Sequence, residues 1–399
     1  MQIVSFLLTA LLISTWGDSS QLAYKSELKP YVEFLKLQKV SAKDYILRLF
    51  DDHDIVILCE RDHRDITQYD LFLSIIADNR FVESVGNVFT EVGVSTLNPE
   101  INRFLHAEGL PVDSVNRMVM QFQRYCSIFP IWDKYNFSYF IKGLYDLNQR
   151  LPGERKVNLF PSDMPFDWHT MNVDRLKEFW DRIRSRDSVI ALQIIKKFEE
   201  IDKSAAKRKK ALIIMNYRHA FGHKFEHPLG VKPDNVGRYL FERYGERVAN
   251  VYVNCHAILP GSTDRKAVAA AIQNGKWDAA FKALQLTDVG FNFDGSPFGE
   301  DQFDIWPLKQ HFKYKDVFDG FVFYKPVDEH LLVVGIPGII DSVFAPEILR
   351  RYALYNELPI QATKLTSDLD SIKTLYNVKR EFRYEMLDSL TTQIGQWLR

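Results

Sequence analysis

The sequence predicts an α/β fold: a mostly parallel central sheet with flanking helices, a helical insertion after the second strand and a helical C-terminus. Three observations lead there. Six apolar runs of strand length recur along the chain, and several lack polar alternation, as strands buried on both faces do. Amphipathic helical patterns lie between most of them, and strands alternating with helices build parallel sheets. Composition agrees, since 399 residues at 46% hydrophobic and 26% charged suit a globular chain with a large core.

The N-terminus, MQIVSFLLTALLISTWGDSS, carries an apolar stretch from Ile3 to Trp16. It is short for a bilayer span and has the length of a signal-peptide core, with small polar residues after it. No Lys or Arg precedes Ile3, so a short helix packed on the domain is the competing reading. Residues 1–20 are expected to be a signal peptide, sending a single α/β domain over 21–399 to a secreted or periplasmic location. No later stretch is long and apolar enough for a transmembrane helix, so no membrane anchor is expected.

Leu28, Val32 and Leu35 mark a first helix, and Ile46, Leu49 and Phe50 a second with Ser41 as its N-cap. The first strand, DIVILCE (54–60), is a continuous apolar run. A helix over Tyr69–Asn79 leads to the second strand, SVGNVFTEVG (84–93). Helical patterns at Pro99–Leu105, Val115–Phe122 and Phe137–Asn148 make residues 95–150 a helical insertion over one end of the sheet. KVNLFPSD (156–163) is the third strand, and Asp174–Asp202 reads as one long amphipathic helix. Lys207–Lys210 (KRKK) reads as a solvated helix end leading into the fourth strand, KALIIMNYRHA (210–220). A helix at Asn235–Tyr244, the fifth strand VANVYVNCH (248–256) and the sixth, DGFVFYKP (319–326), complete the sheet. Residues 286–312, rich in Gly, Pro, Asp and aromatics, read as a long loop of the lid or binding kind. Residues 340–399 look helical to the end.

The net charge is −1, which gives no bulk attraction to nucleic acid or an anionic membrane. Three cysteines, Cys59, Cys126 and Cys255, are too few and odd in number for a disulfide scaffold. Cys59 and Cys255 sit inside strands, where a free Cys usually acts as a small core residue.

Function is sought at the strand ends, because ligands of open α/β sheets bind outside the carboxyl edge. The first strand ends in Glu60, Arg61 and His63, and the second at Glu91. The third ends at Asp163, with Asp167 and His169 beyond. The fourth ends at Arg218 and His219, with His223 and His227 following, and the fifth at His256. A carboxylate beside an imidazole fixes its tautomer and raises its basicity, which suits a base toward water. A nearby Arg stabilises a developing oxyanion. Glu60, His63, Glu91 and His219 could instead hold a divalent metal that acidifies a bound water. Arg61, Asp163 and His256 are secondary candidates. A structural salt bridge from Glu91 to Arg61 or Arg218 competes with a role for Glu91 in the site. Gly222 and Pro228 make the stretch carrying His223 and His227 a loop, which counts against metal ligation by that pair. His53, His106, His311 and His330 have no such context and read as surface. The chain has no GxSxG, HExxH, P-loop or strand–GxGxxG, which speaks against serine hydrolases, zincins, NTPases and dinucleotide enzymes. What remains is chemistry through an activated water.

LCERDH (58–63), VFTEVG (88–93) and MNYRHA (215–220) resemble the strand–GExxH, strand–Glu and strand–NxxH elements of a superfamily. It groups erythromycin esterases, Tiki-type and TraB proteins, and ChaN-type haem-binding lipoproteins. The helical insertion ending in DLNQ, followed by KVNLFPSD, is closest in layout to the erythromycin esterase branch. The resemblance spans residues 45 to about 330, with Cys59 and Arg64 standing where that family carries glycine. It implies an α/β core with a helical cover and a site between them. On the esterase pattern His63 activates water against an ester or lactone, with Glu60, Glu91 and His219 around it and Arg218 beside them. The Tiki pattern implies a divalent metal and a peptide bond, and the ChaN pattern implies haem. The expectation is therefore a hydrolase acting on a small-molecule or peptide substrate. The alternative is a binding protein for haem or another bulky ligand.

Overall fold

The computed structural model describes residues 22–182, 185–222, 234–260, 267–305, 312–358, 364–366 and 368–399. The expected signal peptide and His223, His227 and His311 lie outside these residues.

Seven strands form the central sheet: β1 (Ile55–Glu60), β2 (Asn87–Val94), β3 (Asn158–Asp163), β4 (Ala211–Asn216), β5 (Val248–Val253), β8 (Asp288–Asn292) and β9 (Gly320–Tyr324). Their order is β3-β2-β4-β1-β5-β9-β8. All neighbours run parallel except β8, which pairs antiparallel to β9 at the edge. Two small antiparallel pairs stand beside it: β6 (His256–Pro260) with β7 (Ala267–Ala271), and β10 (Leu332–Val334) with β11 (Arg380–Phe382). The mostly parallel α/β fold expected from the apolar runs is the fold found.

β1 shows why those runs lack alternation. Ile55, Ile57 and Cys59 face one core, with Trp277, Phe281 and Phe321. Val56 and Leu58 face the other, with Phe72, Phe104 and Phe140. Both sides are covered, so neither periodic face can be polar. The second core includes the helices Asn98–His106, Val112–Tyr125 and Asn136–Asn148 of the insertion. Ser41 caps its helix as expected, accepting from the Asp44 amide at 3.1 Å.

Four expectations are corrected. The loop expected over 286–312 contains β8, whose Asp, Gly and Asn residues are poor strand formers. A Cβ on Gly290 would come within 2.5 Å of Tyr45 Cβ, and one on Gly320 of neighbouring β9 within 2.0 Å of the Tyr45 hydroxyl, so both must be glycine for Tyr45 to lie against the sheet and donate to Asn292 Oδ1 at 2.7 Å. The long helix Asp174–Asp202 is two helices, Val173–Arg182 and Arg186–Lys203. Ser185, Asp187 and Ser188 compete for backbone hydrogen bonds and favour a new start. Arg208 of the KRKK run is half-buried, donating to the carbonyls of Val82, Arg155 and Lys156 at 2.8–3.2 Å. Finally, the C-terminal region carries β11 among its helices Ala345–Asn356, Leu369–Tyr376 and Leu387–Gly395. Among the described residues, no helix is long and apolar enough to cross a membrane.

Candidate functional site

Glu60 is the last residue of β1, and His63 follows in a tight turn. Gln68 braces that turn, accepting from the Arg61 amide and donating to the Asp62 carbonyl, both at 2.7 Å. The turn brings His63 Nδ1 to 2.8 Å from Glu60 Oε2. The other Glu60 oxygen accepts the Tyr69 hydroxyl at 2.7 Å. Tyr69 in turn accepts from Asn136 Nδ2 at 2.8 Å, and Asn136 Oδ1 accepts the Trp132 indole N–H at 3.0 Å. The Trp132 ring closes the circuit edge-on against His63, with centroids 5.2 Å apart. The helical insertion therefore fixes both the carboxylate and the imidazole at the end of β1.

Glu91 reaches the same edge through an irregularity. Between Thr90 and Val94, β2 advances four residues while β3 advances from Pro161 to Asp163. Gly93 absorbs this at φ +108°, and a Cβ there would lie 2.7 Å from Pro161 Cβ. Bulges of this kind re-aim side chains at sheet edges. Glu91 Oε2 accepts the Asn216 amide at the end of β4, at 2.9 Å. Its Oε1 faces His219 Nε2 at 3.3 Å, Arg186 at 3.5 Å and His63 Nε2 at 3.9 Å.

His219 sits on the short turn after β4, with Nδ1 at 2.8 Å from Asp187. Arg186 holds Asp163 through two contacts at 2.9 and 3.0 Å. The result is a linear array: Glu60–His63 and Asp187–His219 are two carboxylate-bound imidazoles, and both present Nε2 to one oxygen of Glu91. The carboxylates of Glu60 and Glu91 are buried, at 1% and 5% exposed, while the His63 and His219 rings keep 22% and 21%. The rings are thus the groups a substrate can reach.

The electrostatics separate the two histidines. Burial opposes the imidazolium of His219, but Glu91 and Asp187 outweigh it and hold its pKa at about 10. Burial likewise opposes charge on His63, and Glu60 with Glu91 raises it above its ordinary value. Burial would raise Glu91, yet His219, His63 and Arg186 hold it well below the usual carboxylate range.

Of the expected residues, Glu60, His63, Glu91, His219 and Asp163 meet at this edge. Three stand apart. Arg61 turns into the interior, to Asp65 at 2.8 Å, the Tyr324 carbonyl at 2.9 Å and His330 at 2.8 Å. Arg218 is exposed and leans on the Tyr217 ring, without an ion pair to a described carboxylate. His256 opens β6 instead of ending β5. It is buried against Tyr384, and burial pushes its pKa down to about 4. His330, expected at the surface, is 1% exposed. The competing reading, a salt bridge from Glu91 to Arg61 or Arg218, is met in another form, by Arg186 at 3.5 Å. Sequence reading missed Arg186, Asp187, Tyr69, Asn136 and Trp132. Only the polar run Ser185–Ser188 inside a helical pattern offered a signal.

Glu60, His63 and Glu91 offer ligand atoms within 4.8 Å of one another, so the metal reading can be tested on the donors. Glu60 is committed to His63 and Tyr69, and Glu91 Oε1 already faces the imidazolium of His219 and the guanidinium of Arg186. A divalent ion on that oxygen would compete with its contacts to His219 and Arg186, and this competition favours a metal-free reading. The haem alternative finds no support, since both Nε2 atoms are turned to the buried Glu91 carboxylate.

Fold and site together define an α/β protein with a carboxylate–imidazole array at the carboxyl edge of its sheet. No known family profile matches the chain, and no curated protein does. Solved structures do. A Bacillus cereus protein is 11% identical, covering 75% of this chain and 97% of its own at a TM-score of 0.45. A mutant of the erythromycin esterase EreC in its open conformation is 12% identical, covering 75% and 96% at 0.45. A succinoglycan biosynthesis protein is 10% identical, covering 76% and 98% at 0.45. Likeness at this level carries no inference about activity, and the chemistry below follows from the site's own geometry.

Proposed function

We propose that the chain is a metal-free hydrolase of ester, lactone or peptide bonds, acting on a small molecule or peptide through a water activated by His63. The observation that carries this is the pair of carboxylate-bound imidazoles that both turn Nε2 to one oxygen of Glu91, at 3.9 and 3.3 Å. The 3.9 Å between His63 Nε2 and Glu91 Oε1 exceeds a hydrogen bond and suits a water held between them. Glu60 fixes the proton of His63 on Nδ1 and leaves Nε2 as the acceptor on the Glu91 side. Water loses a proton to His63 Nε2 as its oxygen bonds to the carbonyl carbon. The negative charge that grows on the carbonyl oxygen is met by the cations beside Glu91, His219 and Arg186. When the tetrahedral adduct collapses, His63 returns the proton to the leaving oxygen or nitrogen. Tyr69, Asn136 and Asp187 position the two rings.

His63→Asn tests this against a panel of chromogenic esters, lactones and peptides. Turnover by the parent should fall by about two to four orders of magnitude, the usual contribution of a general base, with melting temperature nearly unchanged. Unaltered kcat/KM would refute the role of His63. The same proposal includes the leader over residues 1–20 and a secreted or periplasmic location for the domain. N-terminal sequencing of exported protein should begin near residue 21.

A further inference from the structure

An open groove of about 760 Å³ lies beside the His63 turn. It is lined by Arg64, Asp133, Lys134, Arg380, Arg383 and Glu385, among others, so four cations face two carboxylates. Its position follows from the backbone. β10 is clamped between the two segments that build the site, with the Val333 amide donating to the Arg64 carbonyl at 2.8 Å and the Gly335 amide to the Asp133 carbonyl at 2.8 Å. β11 pairs with β10 in the register Val334 to Arg380 and Leu332 to Phe382. β11 thereby carries Arg380, and Arg383 just after it, to the groove that Arg64, the residue next to His63, also lines. Trp132 connects the groove to the imidazole through Lys134, since its ring packs on His63 with centroids 5.2 Å apart and carries Lys134 Nζ at 4.6 Å.

The cations differ in how they are satisfied. Arg64 grips Asp62 at 2.8 Å and Lys134 pairs with Asp133 at 2.8 Å. Arg380 and Arg383 are exposed and donate only to backbone carbonyls, of Leu375 at 3.1 Å and His330 at 2.7 Å. Neither makes an ion pair among the described residues. Two guanidiniums held by neutral acceptors keep donors for an anion, and their planar fork matches carboxylate and phosphate oxygens.

We propose that this groove anchors the substrate, and that the substrate is a small molecule carrying a carboxylate or phosphate group near the bond attacked. The inference rests on the hydrolase reading for the word substrate, and on the groove alone for anion binding. Both Arg380 and Arg383 contact the anionic group, and Lys134 orders the Trp132 wall between groove and imidazole.

Two measurements separate the claims. Calorimetric titration of the full chain with succinate and, in parallel, inorganic phosphate reads the groove without catalysis. Arg380→Gln/Arg383→Gln should weaken the anion that binds by roughly tenfold or more, as lost charge-assisted hydrogen bonds do, while His63→Asn should bind it as the parent does. Arg380→Gln alone leaves the Arg383 bond to His330 intact and should give a smaller loss in the same direction, which controls for misfolding. The preferred anion tells carboxylate from phosphate. Hydrolysis is then read as the ratio of kcat/KM for nitrophenyl hydrogen succinate over nitrophenyl acetate. That ratio should fall toward unity in the double variant, through KM. Anion binding with no turnover of either ester by the parent would end the hydrolase reading and leave the groove. Absence of anion binding by the parent, or equal affinity in the double variant, would overturn the groove.

Discussion

Asp187→Asn isolates the electrostatic step on which the site depends. The amide oxygen of the new side chain can still accept from His219 Nδ1, so the ring keeps its orientation and loses only a negative charge 2.8 Å away. An opposite charge at that range typically raises a pKa by about one to three units. His219 stands at about 10, with Glu91 as the larger attractive partner and Asp187 as the second. Removal of Asp187 should therefore lower His219 by about one to two units, or roughly 1.4 to 3 kcal/mol. The sign of the stability change follows. A folded pKa raised above the unfolded value of 6.5 stabilises the fold fully below that pH, and the gain disappears as pH rises through about 10. The parent should thus exceed the variant by the full amount up to about pH 8, and the two should converge as pH rises through about 10. NMR titration of the His219 ring gives the shift directly, and chemical denaturation at several pH values gives the linkage. In the parent, the alkaline limb of the rate profile should lie near 10, and in the variant it should move to lower pH by the same amount. A stability difference that is constant or grows with pH would refute this account of His219, as would an unmoved alkaline limb.

Tyr69→Phe removes the hydroxyl between Glu60 and Asn136 and leaves the buried Asn136 amide poorly satisfied. It should cost about 1–3 kcal/mol in urea denaturation and slow turnover by loosening the Glu60–His63 pair, whereas parental stability would remove that relay. Gly93→Ala places a methyl 2.7 Å from Pro161 and 2.9 Å from Phe137 at a φ that disfavours alanine. It should destabilise by more than about 1 kcal/mol and reduce kcat more than Ser41→Ala of matched stability, because it displaces Glu91; equal kcat in the two would break the link to Glu91. Overnight treatment with a chelator, followed by gel filtration, should leave turnover intact, and activity that disappears and returns with zinc or manganese would restore the metal reading.

What the sequence discloses of the site follows from how each residue is held there. Glu60 and His63 are separated by three positions on one turn, so a carboxylate–imidazole pair is visible in LCERDH itself. Glu91 is visible because a carboxylate in the apolar run NVFTEVGV must be paired or functional. Asp187 and Arg186 leave little trace, since they depend on where a helix restarts, and the periodicity of 174–202 runs through the break. Tyr69 and Asn136 look like ordinary helix residues, and only tertiary packing brings them to Glu60. His256 and His330 show the opposite failure. His256 reads as a strand end and His330 as surface, whereas the β6 start and the Arg61 network decide their surroundings. For the fold, long apolar runs gave six strands, while β8 was hidden because Asp288, Gly290 and Asn292 break its apolar pattern, with Gly290 demanded by Tyr45.

Charge counting ties the groove to the array. Glu60, Glu91, Asp163 and Asp187 face Arg186 and the imidazolium of His219. In the base form of His63 that the proposed attack requires, four carboxylates meet two cations, and the array keeps a surplus of two negatives. An anionic substrate is repelled by that surplus and cannot be held by the array itself. Protonation of His63 during attack reduces the surplus to one at the moment when the oxyanion forms, which favours the transition state over the ground state. The binding contribution for an anion must then come from outside the array, and β11 supplies it from the far end of the chain. The division predicts that added salt weakens KM for an anionic ester through the screened, exposed arginines. It should leave kcat nearly unchanged, because the buried carboxylates and imidazoles are shielded from the same ions. A salt effect falling equally on kcat and KM would contradict the separation of anchoring from chemistry.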